Sequence, residues 1–356
     1  MRLFFIIGIF LFTVMCLSAQ ITISGILDST VSVRADADSE KVTAGLEEYA
    51  NIRFQSRIQD RAVVHGAVNL IAASGDYALN LAGAGASIGD NFVAVLELER
   101  LYFRLRGEHI DMDAGLFRLP FGYGQIWSPC DFLNPKNPLK PDARPRAVMG
   151  AAFTWYPIDE LKLLGFYTMP RDPFSNEGNG SSFGFSLDKH WEKASIQMLY
   201  SYETPDTGSA NGIHRAGISL KADIEIGFVV DALYTYNYEA QTELDGLSLS
   251  VGADYSLIDG NLILLAAYLY NGENSSTAID LPYKHNIYAG LTWRFSDFTN
   301  LSAALIMSLQ DTSYTPLITF NHDLFQGAAL TISVQAPFDN DSFIGVFCTA
   351  RIRLRF

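Results

Sequence analysis

The sequence predicts an all-β protein: a transmembrane antiparallel β-barrel of about eighteen strands, with sixteen as the alternative. Three observations lead there. Apolar and polar side chains alternate in segments of about ten residues from Ile21 onward, the length a tilted strand needs to cross hydrocarbon. The connections between these segments alternate between short and long. Hydrophobic residues make up 49% of the chain, yet after residue 19 no apolar run is long enough for a membrane helix. Scattered hydrophobicity is what a wall needs when only every second side chain meets lipid.

The N-terminus reads as an export signal. Met1-Arg2 is followed by LFFIIGIFLFTV and then C-L-S-A-Q, a basic start, an apolar stretch and a small-residue cleavage site near Ala19. Residues 1–19 are thus expected to be removed, leaving 20–356 as one barrel domain. Cys130 and Cys348 remain, too few for a disulfide framework, and both are expected to be free thiols. A net charge of −14 argues against a nucleic-acid partner. His65, His109, His190, His214, His285 and His322 fall in no nucleophile or metal pattern. No catalytic residue, metal ligand or cofactor is expected.

The alternation places strands at 20–28, 46–58, 62–74, 91–106, 109–118, 147–156, 160–168, 181–189 and 192–202. The second half adds 213–223, 226–239, 246–257, 260–271, 283–295, 298–310, 315–321, 327–336 and 343–356. Short links such as Gly107-Glu108 and Ser296-Asp297 alternate with long ones at 29–45, 75–90, 119–146, 169–180, 203–212 and 272–282. Both termini fall on the short-link side. The weak point is 311–330, where Asn321-His322-Asp323 reads either as a turn or as a kink within one strand. In 91–106 the apolar phase changes near Glu99-Arg100, which predicts a β-bulge.

The last strand, C-T-A-R-I-R-L-R-F, sets Ala350, Ile352, Leu354 and Phe356 on one face and Arg351, Arg353 and Arg355 on the other. Arg53 and Arg57 occupy the polar face of 46–58, and Arg104 and Arg106 that of 91–106. For the last two an ordinary explanation is at hand, because the turn at Gly107-Glu108 brings Asp111 and Asp113 alongside. The end strand has no such partner by the expected register, its neighbours offering Thr22, Ser24 and Ile26. Same-face arginines about 7 Å apart repel by roughly 2 kcal/mol at an effective dielectric near 20. Arg53, Arg57, Arg351, Arg353 and Arg355 therefore form a candidate pore-lining strip, the rival reading being a plain solvated wall.

Signal peptide, strand parity and the final aromatic together resemble bacterial outer-membrane β-barrel proteins of the porin type. The resemblance covers the whole mature chain as architecture. It implies a passive channel for small hydrophilic solutes set in outer-membrane lipid, with Phe356 as the signal read by the barrel-assembly machinery. A homotrimer is left open. The long segment 118–146, RLPFGYGQIWSPCDFLNPKNPLKPDARPR, resembles in position and length the third outer loop of porins, which folds inward and narrows the pore. Its aromatics give it something to bury, and its charges are mostly basic. Arg118, Tyr123, Trp127, Asp131, Lys136, Lys140, Arg144 and Arg146 are its candidate constriction residues, and with the strip they give the channel a lean toward anions. A loop packed over the outer rim is the rival. Inward-pointing Ile263, Leu265 and Leu269 leave two readings open: contact with a folded-in loop, or a slot for a hydrophobic cargo. A non-conducting, adhesive barrel is the remaining alternative.

Overall fold

The computed structural model describes residues 20–37, 39, 41–58, 61–81, 86–87, 91–134, 147–170, 180–205, 211–237, 244–272, 284–340 and 342–356. Eighteen long strands follow one another around a closed antiparallel barrel. They are β1 Gln20–Asp36, β2 Val42–Ile58, β3 Ala62–Gly75, β4 Phe92–Arg106, β5 Ile110–Phe117, β6 Val148–Ile158, β7 Leu161–Thr168, β8 Ser182–His190 and β9 Ala194–Glu203. The circuit continues with β10 Ile213–Asp223, β11 Gly227–Asn237, β12 Leu247–Leu257, β13 Leu262–Asn271, β14 His285–Ser296, β15 Thr299–Ser308, β16 Tyr314–Phe325, β17 Ala328–Gln335 and β18 Gly345–Arg355. A short helix, α1 Asp76–Leu81, lies between β3 and β4.

Closure is made by β1 and β18, paired from Ile26↔Arg355 to Asp36↔Gly345. Phe356 extends the seam: the Gly25 amide donates to its carbonyl at 2.8 Å, and its own amide returns a bond to Gly25 at 3.1 Å. Among the described residues each long strand is paired on both sides, so none offers lipid an edge that it could not solvate. The two faces of the wall then separate by period two. Leu27, Leu96, Phe185, Phe228, Leu264 and Ile318 are among the large apolar side chains exposed on the outside. Water would not tolerate so continuous an apolar surface, and hydrocarbon is its natural solvent. Asp28, Asn51, Asn69, Asp231 and Asn286 are buried on the inside.

Two strand boundaries differ from the sequence reading. The segment 29–45, expected as a long loop, is mostly strand, because Val31, Val33 and Leu46 carry the alternation on and the chain turns only at 37–41. Asn321-His322-Asp323 is no turn either. β16 runs through it to Phe325, the turn falls at Gly327 (φ +86°), and the register shifts between Asp323 and Phe325. The count is therefore eighteen. At Glu99 the register slips between Ala67 and Val68 of the neighbouring strand, as the phase change predicts.

A side chain at Gly25 would put Cβ 2.5 Å from Phe356 Cζ and 2.8 Å from the Asn51 carbonyl. Gly25→Val should therefore strain the seam and destabilise the barrel by about 1–3 kcal/mol. The check is the temperature at which the folded band disappears in heat-modifiable electrophoresis; an unchanged temperature would mean that the seam is looser than its geometry.

Candidate functional site

The inner wall of β18, β1, β2 and β4 carries the arginines. Register fixes their heights. Measured along β1, Arg57 stands level with Gln20 and Arg53 with Ser24. Arg355 stands level with Ile26, Arg353 with Asp28 and Arg351 with Thr30. Through β3 the ladder continues: Arg53 meets Ala67 and then Arg100, and Arg57 meets Val63 and then Arg104. The arginines climb diagonally from the short-link rim, in keeping with the stagger of a barrel.

The expectation that the last strand lacks an acidic neighbour is overturned. β1 does not end at 28, and the stagger brings Asp28 opposite Arg353. Arg353 grips it with two bonds, Nε to Oδ1 at 2.8 Å and Nη2 to Oδ2 at 2.7 Å, the fork geometry that suits a carboxylate. Arg351 donates to the Thr30 hydroxyl at 3.4 Å. Arg104 is held likewise by Asp113, at 2.6 and 2.8 Å, and Arg106 faces Asp111 across the pair. Arg53, Arg57, Arg106 and Arg355 are exposed and form no ion pair among the described residues. Arg53 donates instead to the Asn51 side chain.

The bulge at Glu99 gathers a polar knot higher on the same wall. The extra residue turns the Glu99 carboxylate inward, where only 5% of the side chain is exposed. Arg100 and Arg118 both donate to its Oε1, at 2.8 and 2.6 Å, and Asn51 bonds Oε2. Asn51 also bonds Asn69, which accepts from the Tyr49 hydroxyl and donates to Glu97 at 3.0 Å. Most donors in the knot meet an acceptor; Arg118 Nε is buried without a partner among the described residues, which costs the network part of its stability.

From Arg118 the chain leaves β5 and runs along the opposite inner wall. Leu119, Phe121, Cys130 and Phe132 pack with inward side chains of β6, β7, β9 and β11, namely Ala152, Leu164, Phe166, Leu199 and Leu233. Farther round, Trp127 packs on Ala267, Leu269 and Ile306 and meets Tyr288 edge-on. Inward apolar residues thus have a physical use: Leu269 is fully buried beneath this segment, and Leu265 lines a small cavity together with Ile126 and Trp127. Polar anchors pin the backbone. The fully buried Asp231 carboxylate accepts the Gly124 amide at 3.1 Å, the Tyr123 amide at 3.3 Å and the Ser128 hydroxyl at 2.5 Å, besides the Ser219 hydroxyl. Gly122 donates to Gln197 at 2.6 Å and Gln125 to Asp254 at 3.1 Å. Burial, then the Asp188 carboxylate that the Tyr123 hydroxyl meets at 2.8 Å, hold that phenol above its ordinary pKa and keep it a donor. Asp131 accepts the Phe121 amide at 3.3 Å. Arg215 lies 5.0 Å from the centre of the Phe132 ring while donating to Glu203.

Lys136, Lys140, Arg144 and Arg146 lie outside the described residues. Sequence reasoning missed Asp188, Gln197, Ser219, Asp231 and Asp254, the residues that receive the segment. A signal was present: Asp231 stands at an inward position flanked by Val229, Val230 and Leu233, where a lone carboxylate demands donors. Cys130 is free and buried, and burial pushes its thiol far above the range where it reacts at neutral pH.

No protein-family model matches the chain, and no curated protein matches it. Solved structures do. OccAB4 of Acinetobacter baumannii superposes with a TM-score of 0.63 at 9% identity, over 95% of this chain and 98% of that one. The outer membrane protein OpdK of Pseudomonas aeruginosa gives 0.62 at 7% identity, and OccK8 (OprE) of the same organism 0.61 at 8%, both with the same coverage. The likeness is one of fold, and it spans nearly the full barrel.

Two outcomes test the anchoring of the segment. A Cβ at Gly217 would lie 3.1 Å from Cys130 Sγ, so Gly217→Cys should cross-link to Cys130 on mild oxidation, read as loss of both thiols to alkylation in denaturant. Asp231→Ala leaves several buried donors unanswered, at about 1–3 kcal/mol each. It should expose the Cys130 thiol to maleimide in the folded barrel, where the parent protein stays unlabelled.

Proposed function

We propose that the chain is a porin-type channel of the bacterial outer membrane, passing small hydrophilic solutes down their concentration gradient with a lean toward anions. One observation carries the reading: exposed arginines that form no ion pair among the described residues stand on one inner wall, while the opposite wall is covered by the segment 119–134. Since that cover reaches from β6 to β15, the remaining passage is bounded by the covering segment and by β16–β18 and β1–β4. The field across it points from Arg53, Arg57, Arg106 and Arg355 toward a side whose polar anchors include Asp188 and Asp254. Selectivity then comes from width and field and needs no covalent step. On this reading the segment is the constriction, residues 1–19 are the export signal and Phe356 is the mark read by the barrel-assembly machinery.

A slot for hydrophobic cargo is disfavoured by Trp127 and Ile126, which occupy the apolar strip that would line it.

The test is conductance of the refolded barrel in a planar bilayer under a salt gradient. Open steps with a reversal potential favouring anions are expected, and Arg57→Glu with Arg355→Glu should move that potential toward cations. These two positions serve better than Arg353, whose change would also strand Asp28. Cation preference in the parent protein would remove the anion lean; a folded barrel that never conducts would remove the channel.

A further inference from the structure

The arginine wall is not uniform. In the half of the barrel nearer the short links it holds a cavity of about 130 Å³, lined chiefly by Thr22, Ser24, Arg53, Gln55, His65 and Arg100. Two rungs of the ladder build it. Ser24, Arg53, Ala67 and Arg100 stand level on β1 to β4, and Thr22, Gln55, His65 and Tyr102 make the next inward rung toward the rim. Ala67 between them carries only a methyl. Arg53 and Arg100 stand two strand spacings apart, about 10 Å at Cα.

What faces the cavity is a set of donors. Arg53 uses Nε on the Asn51 side chain, and its two terminal amino groups form no hydrogen bond among the described residues. Arg100 uses Nε and Nη2 on Glu99, at 3.2 and 2.8 Å, which leaves Nη1. Ser24 and Thr22 add hydroxyls and Gln55 an amide. His65 lies stacked on Tyr102, ring centres 4.8 Å apart, and its Nε2 is buried with no partner among the described residues. A half-turn of the ring about χ2 keeps the stack, breaks no hydrogen bond and exchanges Nε2 with Cε1. His65 thus brings one more uncommitted nitrogen, and an orphan of this kind gains when a ligand answers it. Charge agrees with the donors. Glu99 is shared by Arg100 and Arg118, and Glu97, farther from the rim, is bonded by Asn69. With Arg53 counted, guanidiniums outnumber carboxylates around the cavity.

We propose that this cavity binds a phosphoryl group, as inorganic phosphate or as the end of a small phosphomonoester. The proposal rests on the inner wall bounding a watery passage and names the anion that wall takes. A carboxylate offers two oxygens in one plane and suits a single guanidinium fork. A phosphoryl group carries up to two charges and three acceptor oxygens that point apart, which matches guanidiniums on two sides and hydroxyls on another. Arginine at both flanks suits that geometry better than lysine would. A monoester would leave its organic part in the passage, because the cavity holds only a compact ion.

Binding is read on the folded barrel in phosphate-free maltoside detergent, from the phosphorus NMR line width of inorganic phosphate. The parent protein should broaden the line, and an equal concentration of acetate should not relieve the broadening. Arg53→Gln should weaken binding by about tenfold. Ser24→Leu fills the cavity and leaves the charge of the wall as it was; it should weaken binding at least as much. Both side chains are exposed on the inner wall, and heat-modifiable electrophoresis confirms that the variants fold. Glycerol phosphate as competitor separates the two sources: displacement assigns the site to a monoester end and none assigns it to the free ion, and both support the site. An unbroadened line, or acetate that competes as well as phosphate itself, overturns the proposal. So does Ser24→Leu that binds like the parent, since phosphate would then follow the field of the whole wall. Conductance does not enter. A barrel that binds phosphate and never conducts removes the channel alone, and one that conducts without broadening removes the site alone.

Discussion

A strand crossing hydrocarbon must give every amide and carbonyl to another strand, because lipid offers no partner. The seam between β1 and β18 meets this condition, and the way it is met decides the layout of the interior. Closure requires stagger, and stagger sets which residues stand level. It lifts Asp28 beside Arg353 rather than leaving the end strand among serines and threonines. It also turns five arginines, distant in sequence, into one diagonal across three strands.

The interior is two environments under one wall. From β18 to β4 it is polar, with guanidiniums held by carboxylates or neutral side chains or exposed to solvent. From β6 to β15 it is a hydrophobic core turned outside in, where Phe121, Trp127 and Phe132 play the part that facing sheets play in a soluble sandwich. Burying such side chains stabilises by roughly 1.5–3 kcal/mol each, and Asp231 removes the cost of carrying backbone amides inside with them. The segment is thus attached by area and by hydrogen bonds at once, on a wall whose inward leucines would otherwise face water.

Much of the architecture was legible in the sequence for a simple reason: period two and the parity of connections are properties of neighbours along the chain. The bulge at Glu99 was readable by the same logic, as a change of phase within one strand. The unreadable part depends on pairs far apart. The partnership of Asp28 with Arg353 joins the two ends of the chain, and its register comes from the circumference rather than from any local pattern. The aromatics of 118–134 announced that the segment would bury something; that Asp231, Ser219 and Gln197 would receive it could only come from the folded circuit. The slip at 29–45 had a local cause. Acidic residues among the valines resemble loop, whereas a strand long enough to rise past its neighbours tolerates them.

The excursion along the wall begins and ends at one place. The Asn134 side chain donates to the Leu119 carbonyl at 3.3 Å, so 119–134 closes on itself in the manner of an Ω-loop, packed by its own side chains. The chain thus leaves the inner wall where it joined it, and the cover on that wall is fastened at both of its ends before Asn134 is passed. What lines the inside of this half of the barrel is a module of sixteen residues, so its shape answers to Asp231 and to the inward leucines it packs on.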